Sequence, residues 1–125
     1  MDRAELKRFI LENYNVESDF PWLKYPNYEV FRHSNNQKWF ALIMDIPKGK
    51  LGLPGSDLLD VVNLKCDTLL IGSLRCEPGF SPAYHMNKDS WITVALDGSV
   101  SDDKIKMLLD ASYDATAPKA RSKKH

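Results

Sequence analysis

Leu6, Phe9, Ile10 and Tyr14 recur at spacings of three and four, with Arg3, Glu5, Lys7, Arg8 and Glu12 between them. That is the period of one helix face, and it predicts an amphipathic helix over 3–14. Asp2, with Glu5 three residues on, supplies the start signal of a capping box. A second pattern of this kind, Ile105, Leu108, Leu109, Ser112, Tyr113 and Thr116, predicts a helix that Ser101 caps and Pro118 stops. A shorter one behind the capping residue Asp67 predicts a helix to about Arg75, with Leu70, Ile71 and Leu74 as its buried stripe.

Between these segments the pattern changes to short apolar runs. "NYEVFRH" (27–33) and "KWFALIMDI" (38–46) predict two strands joined by a turn at "SNNQ", since asparagine tolerates the left-handed backbone of a tight hairpin. The second run is apolar enough to be buried on both faces. "DVVNLKC" (60–66), "AYHMNK" (83–88) and "WITVALD" (91–97) predict three more strands, with a turn at Asp97-Gly98. "PKGKLGLPGSD" (47–57) reads as a loop or long hairpin tip. The stretch 17–30 carries Pro21 and Pro26, which exclude a regular helix, and reads as an extended connection with aromatic anchors. The order of elements implies an α+β domain, with helices on one face of an antiparallel sheet. Neither an internal repeat nor a boundary interrupts residues 1–118, which read as a single domain.

The chain has 125 residues and zero formal net charge, a length that suits one domain with a core of its own. Charge is unevenly distributed. Residues 1–118 hold 13 Lys/Arg against 17 Asp/Glu, whereas "KARSKKH" (119–125) holds four basic residues and no acid. Those last seven residues read as a solvated, disordered basic tail or as an arm that meets phosphate. "MDRAELKRFI" is charged from its second position, unlike a signal peptide, and no apolar run approaches the ~20 residues of a membrane helix. The expectation is a cytoplasmic protein with no membrane partner. Cys66 and Cys76 are expected to be reduced and buried.

The chain carries no GxSxG, GxGxxG, P-loop or HExxH pattern. Two cysteines and three scattered histidines make a poor metal set, so neither a cofactor nor a metal is expected. An iron site of oxygen ligands would need a dense ridge of carboxylates, and the first helix mixes Arg3, Lys7 and Arg8 with its acids. His85 is the histidine with polar neighbours inside an expected element. On a strand, Tyr84, Met86 and Lys88 would share one face, and His85 and Asn87 the other. With no carboxylate nearby in sequence to orient it, His85 reads with Asn87 as hydrogen-bonding to neighbouring backbone. His33, beside the hairpin turn, is expected to be exposed. Trp22, Trp39 and Trp91 are expected at or near the core, with a stacking platform as the alternative for any that lies exposed beside a cation.

The segments "KWFALI", "VNLKCD", "PAYHMNKDSW", "LDGSV" and "LLDASYD", in that order, resemble the MmcQ/YjbR family of small bacterial proteins, and the resemblance runs from about Phe9 to Ala117. It implies a CyaY-like, that is frataxin-like, α+β fold and a double-wing arrangement of projecting hairpins that binds DNA. On this reading the chain is a non-enzymatic protein that binds double-stranded DNA. The loop carrying Lys48 and Lys50 is one wing, and the segment around "YHMNKDSW" forms or supports the second. A local basic cluster of Lys48, Lys50, Lys65, Arg75 and Lys88, with His85 and Asn87, would then meet phosphate. The alternative is an adaptor that recognises a protein or a small-molecule ligand through the exposed face of the sheet. A pocket lined by Tyr84, His85 and Asn87 would favour that alternative.

Overall fold

A computed structural model describes residues 1–118; the basic segment 119–125 lies outside the described residues. The elements in chain order are α1 (Arg3–Asn13), β1 (Ser18–Asp19), β2 (Glu29–Arg32), β3 (Trp39–Pro47), a 3-10 turn (Lys48–Leu51), β4 (Leu58–Lys65), α2 (Thr68–Leu74), β5 (Phe80–Pro82), β6 (Trp91–Ala95) and α3 (Asp102–Thr116). The six strands form one antiparallel sheet in the order β1-β2-β3-β4-β6-β5.

The helix starts follow the sequence signals. Asp2 and Glu5 form a reciprocal capping box on α1, Asp67 accepts the Leu69 N–H at the start of α2, and Ser101 accepts the Lys104 N–H at the start of α3. All three helices press their apolar stripes on one face of the sheet. There Leu6 and Ile10, Ile71 and Leu74, and Ile105, Leu108 and Leu109 bury against Phe31, Ile43, Val62, Leu64, Ile92 and Val94. Leu70 was expected in the α2 stripe, but it points outward and is 41% exposed. A seven-residue helix has room for one buried edge, and Ile71 and Leu74 fill it. Ser112 ties α3 to the sheet by accepting the Lys65 N–H at 2.9 Å and donating to the Phe40 carbonyl at 2.6 Å.

Among the described residues no α-helix packs on the other side of the sheet. Tyr28, Val30, Leu42, Met44, Ile46, Leu59, Val61 and Ala95 form a second apolar layer, on which Trp22, Trp39, Leu51, Tyr84 and Met86 pack from loops and strand ends. The sheet therefore has apolar residues on both faces, which accounts for the nearly continuous apolar run of β3. Within 17–30, expected as an extended connection, Ser18–Asp19 form the short edge strand β1; Trp22 anchors the remainder, edge-on to Trp39 at 5.6 Å, whereas Phe20 and Tyr25 are exposed.

Three further expectations, besides that for Leu70, need correction here. "AYHMNK" is not a strand: only Phe80–Pro82 pair with β6, and the chain then turns over the sheet. His33 is 2% exposed rather than solvated. Its Nε2 lies 2.8 Å from Thr116 Oγ1, and its ring lies 4.2 Å from that of Tyr113. The end of α3 covers it, a contact between segments far apart in sequence. Cys76 is exposed and Cys66 half-buried; both are free.

Burial holds the His33 pKa below its ordinary value, because a charged ring would lose hydration there. The unfolded chain thus binds a proton more readily than the folded one below about pH 6.5, and stability falls as pH drops through that window. The Tyr113 backbone, through a hydrogen bond, and then the negative charge of Asp114 moderate the effect. The expected result is a melting temperature that declines between pH 7 and pH 5 in the wild type and declines less in His33→Gln. Equal declines would remove His33 as the cause.

Candidate functional site

Two loops meet over the helix-free face from opposite ends of the sheet. The first follows β3, where Pro47 pairs with Leu58; the second precedes β6, where Trp91 pairs with Lys65. The first loop is folded by its 3-10 turn. Gly52 ends the turn at φ +76°, a conformation that favours glycine, and the Leu53 N–H closes onto the Lys48 carbonyl at 3.0 Å. This bend lays Leu51 on the second apolar layer and leaves Lys50 exposed.

The second loop is held by two buried polar residues on neighbouring strands. Asn63 on β4 donates from Nδ2 to the Tyr84 carbonyl at 2.9 Å. Thr93 on β6 accepts the Tyr84 N–H at 3.0 Å and donates through its hydroxyl to Asn63 Oδ1. Asn63 and Thr93 are 0% and 1% exposed, so their polar groups depend on these bonds. Further along, Lys88 Nζ donates to the Ala83 carbonyl at 2.8 Å, and Asn87 Oδ1 accepts the Asp89 N–H at 2.8 Å. Thr68 Oγ1 donates to the Asp89 carbonyl at 2.7 Å. The segment is a preorganised turn in which Tyr84 and Met86 pack inward and His85 faces solvent.

Lys50, Leu51, Tyr84, His85, Met86 and Lys88 line a groove of about 590 Å³ between the two loops. Of the seven residues singled out in the sequence, Lys50, His85 and Lys88 share it. Asn87 belongs to the same turn but shapes its backbone. The other three lie apart. Lys48 sits near Asp97, Lys65 lies over the Trp91 ring at 5.8 Å, and Arg75 caps the exposed end of α2. The seven thus do not form one patch. Asn63 and Thr93, which set the groove's shape, were absent from the sequence reading, although "VNLKCD" contains the first of them.

His85 does not bond to backbone as expected. Among the described residues its ring makes no hydrogen bond and lies 4.0 Å from the Tyr84 ring, centroid to centroid. Its φ of +61° places a non-glycine, aromatic side chain in the left-handed region. That conformation costs a non-glycine residue about 1–2 kcal/mol, and such residues concentrate at functional sites. Glycine would relieve the strain while adding about 0.5–1 kcal/mol of chain entropy cost. His85→Gly is therefore expected to melt within about 1 kcal/mol of the wild type. A substantially larger loss would mean that ring packing, rather than Asn63 and Thr93, holds the turn.

Among the described residues no group of three or more His, Cys, Asp or Glu side chains is placed to hold a metal ion. Among the described residues no helix is long and apolar enough to cross a membrane.

The molecule is an α+β protein, with one sheet face covered by helices and the other carrying a loop-walled basic groove. It belongs to the YjbR family, whose family model matches residues 11–115. It is 37% identical to YyaQ of Bacillus subtilis over 116 residues, covering 93% of this chain and 98% of YyaQ. A 53-residue stretch is 56% identical to YjbR of Escherichia coli and covers 42% and 45% of the two chains. Among solved structures, a Pseudomonas syringae protein superposes with a TM-score of 0.92 at 46% identity, covering 94% of this chain and all of that one. A Deinococcus radiodurans protein superposes with a TM-score of 0.74 at 27% identity, covering 98% of this chain and 83% of its own.

Proposed function

We propose that this chain is a non-enzymatic binding module that grips a phosphate-bearing partner between the 48–53 loop and the 83–90 turn. The observation that carries this reading is the convergence of Lys50, His85 and Lys88, from two separate loops, on one groove. Lysine ammonium groups are strong phosphate donors, and a turn already fixed by hydrogen bonds loses little entropy on binding. A binding rather than catalytic role is favoured because, among the described residues, no carboxylate bonds to the His85 ring to orient it as a general base.

The partner implied by the family resemblance is double-stranded DNA, and two basic loops over one sheet face are compatible with a pair of wings. A second reading is a small anionic ligand. It is favoured by the groove's size, which falls within the range of small-molecule sites, and by its mixed lining of Leu51, Met86 and the Tyr84 ring. The dispersion of Lys48, Lys65 and Arg75 also argues for a local contact rather than a long track along a duplex.

Fluorescence anisotropy with labelled duplex DNA over a series of salt concentrations separates the two. Each phosphate neutralised on a duplex contributes about −0.9 to the slope of log affinity against log salt. A groove with two lysines predicts a slope of roughly −2 on that basis. A slope near −6 would require a wide basic footprint and contradict the groove as the main contact. Binding of pyrophosphate but not of duplex would select the small-ligand reading.

A further inference from the structure

The groove combines two kinds of recognition chemistry on adjacent walls. One is cationic: Lys50 on the first loop and Lys88 on the second. The other is aromatic: the exposed His85 ring, carried outward by a left-handed backbone and tilted 51° against the Tyr84 ring with the centroids 4.0 Å apart. Asn63, donating to the Tyr84 carbonyl, and Thr93, accepting the Tyr84 N–H, hold this pair in place. Below the rings, Leu51 and Met86 supply apolar surface. Lysines alone would suit any anion. A displayed, backbone-strained ring beside them suits a ligand with a flat aromatic part as well.

Resting on the binding reading above, we propose that the groove recognises a single unstacked nucleotide unit, with its base against the His85 ring and its phosphate between Lys50 and Lys88. The volume of about 590 Å³ suits one nucleotide. Stacking on an aromatic side chain is tolerant of base identity, because every base presents a π-face. A base inside a duplex is already stacked on its neighbours, so the same chemistry selects a free nucleotide or an unpaired base in a strand.

The test is amide-shift titration of the full chain with adenosine 5′-monophosphate, adenosine, inorganic phosphate, an oligothymidylate single strand and a duplex. It is repeated on His85→Gly and Lys50→Ala. The expected result is a saturable response at residues 50–52 and 83–88 to the monophosphate or the single strand. Adenosine and inorganic phosphate should each bind at least about tenfold more weakly, and each variant should lose about tenfold, as one lost stacking or charge contact implies. A response to the monophosphate assigns a free nucleotide, and a response to the single strand alone assigns an unpaired base; both support the proposal. Inorganic phosphate binding as tightly as the monophosphate, or duplex binding that His85→Gly leaves intact, overturns the nucleotide assignment but leaves the phosphate-binding reading standing. No response at these amides to any of the five overturns both. His85→Gly suits this test because glycine accepts the turn's backbone, so a loss of binding reports the ring.

Discussion

Asn63→Leu is expected to unfasten the 83–90 turn and abolish binding in the groove. The substitution is close in size but removes the donor to the Tyr84 carbonyl and the acceptor for the Thr93 hydroxyl. Each buried polar group left without a partner costs about 1–3 kcal/mol, so the folded state should lose about 2–4 kcal/mol in chemical denaturation. The larger effect is local. With its clip gone, Tyr84 no longer fixes the direction of His85, and amide exchange over 83–88 should accelerate well beyond the global change. Asn63→Asp is a useful companion, since it keeps an acceptor for Thr93 but loses the donor. Retained protection of 83–88 in Asn63→Leu would show that the packing of Tyr84 and Met86 suffices.

Phe40→Ala is expected to have the greatest effect on stability, with a different consequence for binding. Phe40 is fully buried and lies 5.8 Å from Tyr14, 4.9 Å from Tyr113 and 5.3 Å from His33, ring to ring. These rings join the end of α1 and the last turns of α3 to the sheet. Removing a buried phenylalanine side chain costs about 3–5 kcal/mol through lost apolar transfer and the cavity left behind. The site is on the helix-covered face, however, and the groove is on the other. At temperatures where the variant remains folded, its affinity for a groove ligand should stay within about twofold of wild type, since separated sites couple by only a few tenths of a kcal/mol. A parallel loss of affinity would show that the two faces are coupled.

The helices were legible in the sequence because each carries its own punctuation. Ser101, the Ile105-to-Thr116 periodicity and Pro118 define α3 without reference to the rest of the chain. The antiparallel sheet under one layer of helices followed from the order of elements. What escaped was set by distant partners. Tyr84 and Met86 inward with His85 and Asn87 outward mimics the period of a strand, yet the alternation arises from a turn. Asn63 and Thr93, 21 and 9 residues from Tyr84, decide between the two. The true strand lies just upstream, in a stretch whose Pro78, Gly79 and Pro82 read as breakers. Pro82 is tolerated there because β5 is an edge strand, and Gly79 is required because at φ +89° an added Cβ would sit 2.5 Å from Val100 Cγ2. The burial of His33 likewise depends on Thr116 and Tyr113, more than 75 positions away. For the site, "PAYHMNKDSW" marked the segment, but sequence could not separate Lys50 and Lys88, which share a groove, from Lys48, Lys65 and Arg75, which do not.

The groove's role in binding phosphate is tested most directly by charge reversal at paired positions, read by titration calorimetry with a 5′-phosphorylated oligothymidylate. Lys50→Glu should weaken binding at least tenfold, whereas Arg75→Glu, on the exposed end of α2, should bind like the wild type. Equal losses from the two substitutions, or none from Lys50→Glu, would contradict a binding site between the two loops.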